Sequence, residues 1–215
     1  MFRSLNEIEQ TVRKAVRGRG LPWGIADEAG KAVRCLHQLE FEVTGQLIRV
    51  LDEADVGEVS DPLSAYRDGA WQSKSGKLSP LLAGPSLCDF MDFGGVPRVE
   101  MSHVVCPVLL AGFLANAVSE GRNAIRLSWP GVSLEISCNR IGIHGNAEGL
   151  EARLADHVVC EHIAGLDRLP GSARTGQVWV DDAAWTRLEQ YAKRTYVEGT
   201  EASRAGAGAG LLDND

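Results

Sequence analysis

A chain of 215 residues that is 44% hydrophobic and 24% charged carries enough apolar material for a full-sized buried core, which excludes a disordered or collagen-like polymer. The formal net charge of −7 argues against nonspecific binding to nucleic acid or to anionic membranes, so neither is expected as a partner. Five cysteines, odd in number and widely spread, argue against a disulfide framework and for reduced thiols in a cytoplasm, and the opening MFRSLNEIEQ lacks the apolar stretch of a secretory leader.

The first element is a helix. Ser4-Leu-Asn-Glu7 is spaced as a capping box, and Leu5, Ile8, Val12 and Val16 follow at helical spacing. Glu9 stands one turn before Arg13, the favourable order for an exposed ion pair. Gly18 and Gly20 end this helix, and Leu21-Pro22-Trp23 opens a second with Ile25, Ala29, Val33 and Leu36 inward. Ala26 and Gly30 leave a shallow strip on it. Gly112, far along the chain, is a matching notch, which predicts that the second helix and a later one cross there.

Glu42 to Leu51 reads as a third helix interrupted near Thr44-Gly45, and the acidic stretch Asp52 to Asp61 as a solvated connection. Pro62 to Lys77 has little pattern, and Ser73 to Ser79 reads as an exposed loop. Ser79-Pro80-Leu81-Leu82 starts a turn that Gly84-Pro85 should break. Ser86-Leu-Cys-Asp89 then caps another short helix that ends at Gly94-Gly95.

The second half changes period. Val99, Met101, His103 and Val105 alternate with Glu100 and Ser102, a strand that would place His103 in the core. Pro107 opens the most hydrophobic helix of the chain, with Val108, Leu109, Leu110, Phe113, Leu114 and Val118 covering most of its surface and Gly121 placed to stop it. Its apolar run of about a dozen residues is short of the ~20 that span a bilayer, so it reads as a central core helix. Cys106 precedes it, either with its thiol pKa lowered by the helix terminus or as an inert buried thiol. Ile125, Leu127 and Trp129, then Val132, Leu134, Ile136 and Cys138, give the alternation of a half-covered antiparallel sheet. Pro130-Gly131 suits a type II turn, which splays a tight hairpin and so predicts a looser connection. Ile141 and Ile143 continue the meander, and His157 to His162 and Gln177 to Val180 are further strands. Asp181 or Asp182 caps a last helix with Trp185, Leu188, Ala192 and Tyr196 inward. The expected fold class is α+β: N-terminal helices and a buried central helix on a mainly antiparallel sheet, then a C-terminal helix and a Gly-rich tail, all in a single domain over residues 1–215.

Ser4-Leu-Asn-Glu-Ile-Glu9, the segment from Gly20-Leu-Pro-Trp23-Gly24 to Glu28-Ala-Gly30, and the tail from Arg194 to Asp215 together resemble an uncharacterised bacterial domain-of-unknown-function family. The resemblance runs along essentially the whole chain, more weakly between Glu40 and Val99, and brings no reaction with it. It implies that the tail belongs to the family pattern, with Ser203, Arg204, Gly206, Gly208, Gly210 and Asp213 on its motif.

Those residues carry the leading functional expectation, a cytoplasmic domain that binds a small anionic metabolite. Arg204 would hold a carboxylate or phosphate, with Ser203 beside it, and Gly206, Gly208 and Gly210 would offer backbone N–H groups. The plain alternative is a polar tail with no site. Asp213 and Glu28 are the candidate acid/base groups, and whether there is catalysis stays open. Trp23 reads as a stacking wall or as a core tryptophan, and Glu28 as a site residue or a dipole-favoured surface acid. Arg13, Lys14, Arg17 and Arg19 read as a solvated basic face. The chain has no CxxC, HxxxH or HExxH pattern; no metal or cofactor is expected, although Cys160 and His162 share a strand face. The rival expectation is a noncatalytic interaction module, a homodimer or an accessory subunit of a larger enzyme.

Overall fold

A computed structural model describes residues 1–53, 64–67, 70–73, 76–93, 98–118, 124–138, 140–163 and 176–196. The fold is α+β, with helices packed against a mainly antiparallel sheet. One hydrophobic cluster runs from Leu5 through the helices and the sheet to Ala192. Among the described residues no helix is long and apolar enough to cross a membrane.

Helix α1 (Leu5–Gly18) forms where the capping box predicts: the Glu7 N–H donates to Ser4 Oγ at 3.2 Å, and the Ser4 N–H donates to Glu7 Oε2 at 2.8 Å. These bonds satisfy N–H groups that a helix start leaves open, and the Ser4 N–H and hydroxyl, both donating to the Glu7 carboxylate, hold it below its usual range. Leu5, Ile8, Val12 and Val16 are buried, with Ala15. Glu9 and Arg13 do not pair along the helix; both reach across to α2 (Trp23–Gln38), Glu9 to Arg34 at 2.9 Å and Arg13 to Asp27. The close approach of the two helices, with Gly30 against the Glu9 carbonyl, favours the partners across the interface over the one along the helix.

α2 is held between α1 and the central helix α5 (Val108–Ala117) by small residues on two faces. A β-carbon on Gly30 would lie 2.9 Å from the Glu9 carbonyl oxygen. One on Gly112 would strike the carbonyl of Ala32. The predicted crossing of α2 and α5 at Gly112 is therefore present, but its partner is Ala32, and Gly30 serves α1 instead. α5 is buried from Val108 through Ala115. It stops at Ala117, where Val118 turns extended (ψ 115°), and not at Gly121, which lies outside the described residues.

α3 (Thr44–Glu53) begins at the expected interruption and takes in Asp52 and Glu53, against the expectation that they open a solvated connection; the rest of that acidic stretch, 54–61, lies outside the described residues. α4 (Pro80–Phe93) passes straight through Pro85, against the expectation of two short pieces. Proline inside a helix costs about 3 kcal/mol, and burying Leu81, Leu87 and Met91 on one continuous helix returns more, at about 1.5–3 kcal/mol each.

The main sheet has seven strands in the order β2 (Ser64–Arg67), β3 (Ala70–Gln72), β4 (Arg98–Val105), β8 (Leu154–Ile163), β5 (Ala124–Trp129), β6 (Val132–Ser137), β7 (Arg140–Gly145). Among these strand pairs only β3 and β4 run parallel. Two strands thus arise from the Pro62–Lys77 region that showed little pattern, because Trp71 is buried there and β3 pairs with β4 across 30 residues of sequence. Val99, Met101, Leu127, Leu134, Ile136, Val158 and Cys160 are buried in the core cluster. Between them the register sets a ladder of charges, Arg98 beside Glu161, Glu161 beside Arg126 and Arg126 beside Glu135. Hydrogen bonds from His157 and Arg98 keep the Glu100 carboxyl low, and one from Arg126 does the same for Glu135.

Three expectations in this half are corrected. His103 is exposed, because its backbone is left-handed (φ +54°) and breaks the alternation, so that Val104 and Val105 are both buried. Pro130-Gly131 is a tight two-residue turn, with Trp129 paired directly to Val132 and Gly131 at φ +86°. Proline at the first turn position cannot take the positive φ of the commoner hairpin turn, and the Trp129 indole bond to the Gly149 carbonyl, 2.8 Å, ties this corner down. Finally, α7 (Asp182–Lys193), capped by Asp181, turns Trp185, Leu188, Tyr191 and Ala192 inward. Tyr196 lies past its end, 62% exposed, with the Lys14 ammonium over its ring. The remaining elements are the pair of β1 (Phe2–Ser4) and β9 (Gln177–Trp179), and a single turn, α6 (Ala147–Leu150).

Candidate functional site

Helices α2, α4 and α5 pack on one another and together line an open cleft of about 630 Å³. α2 contributes Glu28, Lys31, Arg34, Cys35 and Gln38; α4 contributes Pro85, Cys88 and Asp89; α5 contributes Phe113, Asn116 and Ala117. The α2 residues come to one wall because they recur at three- and four-residue spacing, along the border of the buried stripe to which Cys35 itself belongs. Asn116 and Ala117 reach the cleft because α5 ends there, where its otherwise all-round apolar surface gives way to exposure.

The wall is charged and its floor is not. Lys31 Nζ donates to Glu28 Oε1 at 2.7 Å, which raises the lysine pKa, and Arg34 Nη1 donates to Glu9 Oε2 at 2.9 Å at the rim. Asp89 is exposed on the opposite wall and, among the described residues, has no hydrogen bond or ion pair. Burial pushes the Cys35 thiol up to about 11 and the Cys88 thiol up to about 12, so both are neutral near pH 7. With Phe113 and Pro85 they make a neutral, partly apolar floor. An arrangement of this kind can bind a small polar molecule; it presents no ionised thiol for nucleophilic attack.

Of the residues predicted from sequence, Glu28 lies in this cleft. Trp23 does not. It is 47% exposed, with the Arg13 and Arg17 guanidinium carbons 5.1 and 5.5 Å from its ring centroid, so it is neither a core residue nor part of the cleft wall. The basic cluster is less solvated than it reads. Besides Arg13 and Arg17 on Trp23, Lys14 covers Tyr196, and buried Arg19 donates from Nε to the Leu51 carbonyl at 2.8 Å. Cys106 is the inert alternative, fully buried with its thiol pushed up to about 11. Ser203, Arg204, Gly206, Gly208, Gly210 and Asp213 lie outside the described residues. Among the described residues, no group of three or more His, Cys, Asp or Glu side chains could hold a metal ion.

Lys31, Arg34, Gln38, Asp89 and Asn116 were not singled out from sequence. A polar stripe on α2 was visible in principle, as Glu28, Lys31, Cys35 and Gln38 fall on one side. Nothing local says that α4 and α5, over forty residues later, supply the facing wall.

Residues 3–74 match the model of a family described as a protein of unknown function, DUF3726. The matched stretch holds the Ser4–Glu9 opening, the Trp23–Gly30 segment and the whole α2 wall of the cleft, whereas α4, α5 and the tail lie beyond it. Comparison with curated proteins and comparison with solved structures give no match.

Proposed function

We propose that this chain is a cytoplasmic binding domain for a small metabolite bearing a carboxylate or phosphate, held in the cleft between α2, α4 and α5. The observation that carries the reading is the placement of Lys31 and Arg34 one turn apart on the same wall, with the amides of Gln38 and Asn116 beside them. Two cations and neutral donors converging on a concave surface are what recognition of a small anion requires. Lys31 and Arg34 already hold carboxylates of the protein, so an incoming anion competes with Glu28 and Glu9 for them. None of the five cysteines is in a disulfide, and two of them line the cleft, which supports a reducing compartment.

Isothermal titration of the full chain with acetate, succinate and inorganic phosphate tests this. Binding that weakens at least tenfold in Lys31→Gln/Arg34→Gln supports the site, and binding unchanged by that pair of substitutions removes it. A truncation lacking residues 203–215 asks whether Arg204 and the glycines contribute. Lost binding at an unchanged melting temperature assigns them to the site, and unchanged binding excludes them.

A second reading, a noncatalytic interaction module or homodimer, draws on one observation. Phe2 and Trp179 sit opposite each other in the β1–β9 pair and are 67% and 54% exposed. Facing aromatics left in water are a common mark of a contact surface. Light scattering of the wild type and of Phe2→Ser/Trp179→Ser separates the readings: a dimer that the double variant dissolves favours the second.

A further inference from the structure

The charges of the cleft do not suit a purely anionic guest. Lys31 and Arg34 are balanced by Glu28 on their own wall and by Asp89 across from them, so the lining as a whole is neutral. Asp89 is the carboxylate that, among the described residues, no cation satisfies. A dicarboxylate or a phosphate seated against Lys31 and Arg34 would bring its remaining negative charge toward Asp89. Like charges facing each other weaken binding, and an ammonium in that place would instead gain an opposite-charge partner.

Resting on the cleft as the binding site, we propose that its ligand is an amino-acid-like zwitterion, with its carboxylate toward Lys31 and Arg34 and its ammonium toward Asp89. Gln38 and Asn116 add neutral amide groups that serve either end. The floor made by Phe113, Pro85 and the two neutral thiols accepts a small apolar or thioether side chain. The volume of about 630 Å³ is ample for a single amino acid.

The test is isothermal titration of the full chain with matched pairs that differ only in the amine. Alanine is compared with propionate, leucine with 4-methylpentanoate, and methionine with 4-(methylthio)butanoate, with succinate and inorganic phosphate as pure anions. The expected result is that the zwitterions bind at least tenfold more tightly than their desamino partners. Asp89→Asn then abolishes that preference by weakening the zwitterions alone. Asp89 is exposed, so this variant is expected to melt with the wild type. Lys31→Gln/Arg34→Gln weakens both members of each pair. If succinate or phosphate binds as tightly as the zwitterions, or if Asp89→Asn leaves the amine preference in place, the proposal is overturned and the cleft survives as an anion site. If nothing binds, or if the lysine and arginine substitutions change nothing, the cleft reading itself falls and takes the proposal with it.

Discussion

The carbonyl of Ala32 occupies the space that a β-carbon on Gly112 would need, so α2 and α5 touch backbone to backbone at their crossing. Gly112→Ala must push the two helices apart at the centre of the core. The expected loss is about 1–3 kcal/mol, read from urea unfolding, since overpacking a close-packed interior costs that much or more. Gly24, on the same helix α2, faces open space, with no atom within 4 Å of where a β-carbon would stand. Gly24→Ala is therefore neutral or stabilising, by up to about 1 kcal/mol. Equal effects at the two positions would mean that the crossing is not this tight.

Acid stability depends on His37. It is 2% exposed, its Nε2 lies 3.0 Å from Thr44 Oγ1, and burial pushes its pKa down to about 4. With the folded value below the ordinary 6.5, the unfolded chain binds more protons between about pH 4 and 6.5. Stability is thus full above that window, falls as pH drops through it, and flattens below. The loss attributable to this one imidazole is up to about 3 kcal/mol. Urea titrations at pH 7 and pH 4.5 measure it. In His37→Leu the difference between the two pH values should shrink by most of that amount, whatever the variant's stability at pH 7.

The fold was legible wherever a buried stripe and its end signals lay next to each other in the chain. The capping box, the α2 inner face, the α5 core and the alternation of β5 and β6, though not the turn between them, could be read from spacing. The failures share a cause in tertiary packing. His103 leaves the core because the backbone at that one residue is left-handed, which no alternation reveals. Pro85 stays inside α4 because burial on both sides of it outweighs a local penalty. β3 exists because β4 offers it an edge, and β2 pairs in turn with β3. The cleft divides the same way: Glu28 could be named from α2 alone, but Lys31, Arg34 and Gln38 beside it, and the charge of Asp89, acquire meaning only when α4 is laid across from them.

Arg19 supports the end of α3. Its side chain is buried, and its Nε donates to the Leu51 carbonyl, one of the groups that a helix C-terminus leaves without an internal partner. Arg19→Met keeps much of the packing and removes the donor. The expected cost is about 1.5–3 kcal/mol, the range for a hydrogen bond to a charged group. Arg19→Lys should recover little, because an ammonium at the end of a straight chain does not put a donor where Nε is. Full recovery by lysine would indicate that position-independent charge is what matters here.

The cysteines test the character of the cleft floor directly. Burial raises the thiol pKa of Cys35 to about 11, of Cys106 to about 11 and of Cys88 to about 12, and moves that of Cys160 upward as well. Because only the thiolate attacks, each of these should react with Ellman's reagent at pH 8 on the order of a hundredfold or more slowly than an unhindered cysteine. In guanidinium chloride all five cysteines of the chain should react at once. Mass spectrometry after brief native labelling should find Cys138, which is half-buried, modified ahead of the other four. Rapid labelling of Cys35 or Cys88 would show that the floor of the cleft is wetter and more polar than its lining residues imply, and a hydrophobic side chain on the ligand would then have no reason to settle there.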